Sequence, residues 1–79
     1  MLNIPERIEH LRNRIRKYEE TVAEILDEIR QVNTYPDTLR RANMLFLLNR
    51  ELENTRQSIK DQKANLRYLE NRQKKEKKQ

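Results

Sequence analysis

Few side chains in this sequence are placed for chemistry. His10 is the single imidazole, and its neighbour Glu9 is the nearest titratable group in the chain. Metal binding or proton transfer requires several groups converging on one point, and a lone solvent-facing histidine supplies one. Glu20, Glu24 and Glu28 recur every four residues. On a helix they stack along one face, where they would hold a cation only loosely, and they read as a solvated stripe. The chain has no Cys and no Gly. The first excludes disulfides and thiolate metal sites; the second argues against phosphate-cradling loops and tight hairpin turns, which lean on positive φ angles. No nucleophile–base pair appears either. The expectation is a chain that is not an enzyme, with no cofactor, no metal and no small-molecule ligand.

The elements that carry these residues follow from the apolar rhythm. Ile4, Ile8, Leu11, Ile15, Tyr18, Val22, Ile25, Ile29 and Val32 step by alternating fours and threes. That is a heptad seam, with Ile8, Ile15, Val22 and Ile29 at a and the others at d. With charged residues at 39% of the chain and a low mean hydropathy, disorder is the competing reading, and a disordered chain has no reason to keep this register. Asn3 is placed to cap the helix, with Glu6 completing a capping box and Pro5 in the first turn.

The rhythm breaks at Asn33-Thr34-Tyr35-Pro36-Asp37. Pro36 disfavours helical geometry at Tyr35, and Thr34 with Asp37 resembles a second capping box. Beyond it Leu45, Leu48, Leu52, Thr55, Ile59, Gln62, Leu66 and Leu69 resume the same steps, with Thr55 and Gln62 as polar seam positions. The sequence therefore predicts one all-α domain over 1–79. Helix 1 covers about 4–32, the turn 33–37 and helix 2 about 37–73, with a basic tail at 72–79. A short turn between two seams makes an antiparallel coiled-coil hairpin. Pairing positions whose numbers sum to about 71 sets Ile25 near Leu45 and Phe46, Tyr18 near Leu52, Leu11 near Ile59 and Ile4 near Leu66. The C-terminal end of the chain then overhangs helix 1.

Two surfaces are candidates for contacts. In Met44-Leu45-Phe46-Leu47-Leu48, the seam needs only Leu45 and Leu48. Phe46 and Leu47 face outward, Leu39 lies one heptad before Phe46, and Leu26 of helix 1 is expected nearby. Leu26, Leu39, Met44, Phe46 and Leu47 form a second apolar face that predicts a protein contact: a homodimer closing a four-helix bundle, another protein, or both. The bland alternative is a local broadening of the core over the turn.

The second surface is charged. Residues 1–33 hold 6 basic and 7 acidic side chains; residues 34–79 hold 12 and 6. The excess collects at the open end, in Arg67, Arg72, Lys74, Lys75, Lys77 and Lys78, beside Arg7, Arg12, Arg14, Arg16 and Lys17 of helix 1. This cluster suits nucleic acid or an acidic partner, but basic clusters are common, no base-reading motif accompanies this one, and a solvated tail is the simpler reading. With Tyr68 as its one nearby aromatic, it lacks a stacking platform. No segment approaches the roughly 18 apolar residues of a membrane span, and no signal-type segment is visible at Met1–Arg7. With no Cys, a cytoplasmic location without membrane contact is the expectation.

Ile8-Glu9-His10-Leu11-Arg12 and Asn49-Arg50-Glu51-Leu52-Glu53 resemble the two helices of the small sporulation-regulating aspartyl-phosphate phosphatases. Those proteins are helical hairpins with a Ser-Gln-Glu-Leu-Asp type motif on the second helix. The Ser, Gln and Asp are absent here, as is a linker Gly, so the resemblance implies the hairpin and carries no phosphatase activity to these residues.

Overall fold

The structure is a computed structural model that describes residues 3–77. It contains two helices, α1 (Ile4–Val32) and α2 (Leu39–Lys77), folded back on each other as an antiparallel hairpin. The molecule measures 63 × 19 × 14 Å, with a radius of gyration of 18.0 Å. A compact domain of this length would have a radius of gyration of about 12 Å, so the chain is a rod.

Asn3 starts α1 as its sequence suggests. Its side-chain oxygen accepts the Glu6 N–H at 2.9 Å, and its amide donates to the Glu6 carboxylate at 3.4 Å, so the box closes through side chains. The linker differs from expectation. Thr34 does not cap α2; its hydroxyl donates to the Gln31 carbonyl at 2.6 Å, and its N–H donates to the same oxygen, which terminates α1. Thr38 caps α2 instead, accepting the Arg41 N–H at 3.3 Å. Pro36 and Asp37 stay in the linker, where Asp37 reaches Arg41 at 3.9 Å. An oxygen two or three residues before the first free amides can satisfy them, and Thr34 lies too far upstream once Pro36 has broken the helix. At the other end α2 is regular through Lys77, past the expected limit near 73.

The core is a single seam of side chains. Ile8, Ile15, Ile25 and Val32 of α1 are buried against Leu52 and Leu69 of α2. Leu45, Leu48, Ile59, Leu66 and the polar seam residues Thr55 and Gln62 are half-buried, as two helices without a third layer allow.

The pairing register departs from the sequence reading. Arg12 meets Glu70 at 3.4 Å and Glu19 meets Lys63 at 3.7 Å, where the expected register would set them opposite Ile59 and Leu52. Long side chains account for part of that reach. The grooves account for the rest: Leu11 lies with Leu69, and Val32 with Met44 and Leu48. The helices are thus displaced by about one heptad. The linker climbs past the end of α1, so the first turn of α2 projects beyond it, and the far end of α2 overhangs less. The displaced register buries Leu69 beside Leu11, where the expected one would set it opposite Leu2, ahead of α1.

Candidate functional site

The expected apolar face is only partly assembled. Leu39, Phe46 and Leu47 are 79%, 65% and 62% exposed. At about 100° per residue, Leu39 and Phe46 share a stripe on the side of α2 away from α1, with Ala42 between them and Leu47 on its edge. Leu26 is 38% exposed but does not join them. The displaced register sets it level with the Arg50–Arg56 stretch of α2, beyond Phe46. Met44 turns toward α1, where it lines a groove with Val32, Tyr35, Leu47 and Glu28. Tyr35 is the residue the sequence reading misses. It is half exposed and covers the end of α1 beside Met44. Its one signal in the sequence is its aromatic character, in a linker otherwise made of turn-formers.

The basic cluster divides between two flanks of the rod. Arg12 is held by Glu70 on one flank, and Arg72 pairs with Glu76 within α2. Arg16 donates to the Asn13 side chain at 2.9 Å. On the opposite flank Arg7 and Arg14, one heptad apart, line a groove with His10, Asn65 and Tyr68. No ion pair among the described residues engages either arginine. The structure gives Lys17, Arg67, Lys74 and Lys75 exposed positions on the helix surfaces. Lys77 closes α2, and Lys78 lies outside the described residues. Among the described residues the open end is therefore a groove with two unpaired guanidiniums and a separate spray of lysines, without a continuous basic track between them.

A third groove sits between these two on the same flank, lined by Tyr18, Leu47, Glu51, Thr55 and Ser58. Glu20, Glu24 and Glu28 are all exposed. Among the described residues no group of three or more His, Asp or Glu side chains is placed to hold a metal ion, and no helix is long and apolar enough to cross a membrane. Comparison with protein families, with curated proteins and with solved structures finds no match to this chain in any of the three.

Proposed function

We propose that this chain is a small non-catalytic protein-interaction module, an adaptor, assembly factor or inhibitor that docks through the outward face at the start of α2. The observation that supports this reading is the exposure of Leu39 and Phe46, two turns apart on the side that faces away from α1, with the exposed Leu47 on the edge of that stripe beside the groove at Val32. Apolar area left in water forfeits roughly 25 cal/mol per Å², and contiguous exposed patches mark contacts. Leu39 lies in the first turn of α2, which projects past the end of α1, and Phe46 follows two turns later on the same outer stripe.

The test is the double substitution Leu39→Glu with Phe46→Glu. Both positions lie off the seam, so helicity and thermal stability stay close to the parent's while capture of protein from the native cell is lost. Retention of every captured protein by the folded variant refutes the reading.

A second reading rests on Arg7 and Arg14, whose guanidiniums, unpaired among the described residues, share a groove with Tyr68 at the basic end. It is contact with a nucleic-acid phosphate backbone. It requires affinity that falls steeply with salt, and no binding to duplex or single strands at low salt removes it.

A further inference from the structure

The flank that carries the Arg7–Arg14 groove at one end carries Glu28, Met44 and Leu47 at the other. We propose, as a deepening of the interaction-module reading, that a second copy of this chain packs on this flank in the antiparallel sense, α1 on α1 and α2 on α2. The basic groove of each copy then receives the acidic and apolar end of the other.

Spacing supports this arrangement first. Arg7 and Glu28 stand three whole heptads apart, so they lie on one stripe of α1. Leu47 and Tyr68 have the same three-heptad spacing, on one stripe of α2. Each pair spans about 31 Å. A two-fold axis across the rod exchanges the members of a pair by turning about its midpoint. One axis serves both pairs only where the midpoints, residues 17–18 and 57–58, lie side by side. In the displaced register they fall within about one turn of each other, and Tyr18 lines the same groove as Thr55 and Ser58. The same rotation that sets Arg7 against Glu28 of the second copy brings Leu47 to within about two turns of Tyr68 of the second copy, on the matching stripe.

Charge supports it next. Arg7 and Arg14 at one end, and Glu24 and Glu28 at the other, have no ion-pair partner within the described part of the chain. An antiparallel copy brings the two sets together at both ends, whereas a parallel copy would set like against like. Thr21, Asn54 and Ser58 near the midpoint are small and polar, which lets the helices approach and bond at the centre.

Area supports it last. The chain exposes 6764 Å². A folded monomer of 9.8 kDa exposes about 5,200 Å² by the usual scaling. The surplus of about 1,600 Å² exceeds the roughly 800 Å² that each partner contributes to a standard stable interface. An isologous contact of this kind closes after two copies.

The experiment uses two full-length charge-reversed variants, Arg7→Glu with Arg14→Glu, and Glu24→Arg with Glu28→Arg. All four positions are exposed, and circular dichroism verifies that both variants remain helical. Sedimentation at low ionic strength should show the parent as a dimer. Each variant alone should dimerise at least about tenfold more weakly, because like charges then meet at both ends. An equimolar mixture of the two should recover the dimer, since every reversed charge meets its opposite. Spin labels fix the orientation: one at Ser58 reports its copy at short range, and one at Arg72 does not. A monomeric parent, variants that dimerise like the parent, a mixture that stays monomeric, or short distances at both label sites each overturns the proposal. A dimer lost instead in the Leu39→Glu, Phe46→Glu protein assigns self-contact to the tip and also overturns it. A dimer that behaves as expected while that tip variant still captures every protein refutes the tip reading alone.

Discussion

Replacing Leu69 by alanine tests the displaced register directly. Leu69 is 4% exposed and lies near Leu11. In the register expected from sequence it would stand opposite Leu2, ahead of the start of α1 at the fraying edge of the seam, and its truncation would cost less than about 1 kcal/mol. In the observed register the substitution removes one of only two buried side chains of α2 among the described residues. Buried Leu→Ala changes cost about 2–5 kcal/mol, and a seam open to water on both flanks relaxes into the gap, which favours the low end, about 2 kcal/mol. With an unfolding entropy of about 2.1 cal/mol/K per residue, a chain of 79 residues loses about 12 °C of Tm for that cost. The assay is thermal melting followed by circular dichroism at fixed protein concentration. Phe46→Ala is the internal control: it deletes a larger side chain, but one that is 65% exposed and off the seam, and should move Tm by no more than about 3 °C. Equal, small shifts in the two variants would refute the register and return the end of α2 to solvent.

Thr38→Ala should destabilise by about 1 kcal/mol through loss of the α2 cap, while Thr34→Ala leaves α2 capped and weakens only the end of α1; helix-specific hydrogen exchange separates the two. Gln62→Leu should raise Tm by several degrees, since a half-buried seam position gains apolar contact, and a drop in Tm would show that the amide makes a bond the protein needs. The Arg12–Glu70 pair is 62% and 40% exposed at its two side chains, so a double-mutant cycle should give a coupling below about 1 kcal/mol that shrinks with salt. A coupling above that, insensitive to salt, would mean the pair is sheltered from water.

Much of the fold is legible because the apolar rhythm of α1 runs unbroken from Ile4 to Val32, and those bounds are the ones observed. α2 segregates its apolar and polar faces less sharply, with Thr55 and Gln62 in its seam, yet Leu52 and Leu69 still hold it to α1. The exposure of Leu39, Phe46 and Leu47 is legible too, since the seam needs none of them. The cap of α2 is not, because Thr34 and Thr38 both fit the local pattern, and only the path of the linker sets which one faces the free amides. The grouping of Leu26 with Phe46, and of Arg12 with Arg7, fails for a different reason. Both depend on which flank of a helix lies toward the neighbour and on how far the helices are slid.

Side-chain type and helical period are enough to specify two helices, the point where the chain reverses and the stripe of each helix that is buried, because those properties act within one helix. The register is a property of the folded pair. An antiparallel heptad seam slid by one full repeat presents a to d and d to a again, so every such pairing looks equally good along the chain. The choice falls to the three-dimensional course of residues 33–38 and to whether Leu69 finds cover, and from it follow the grooves and the charges they bring together.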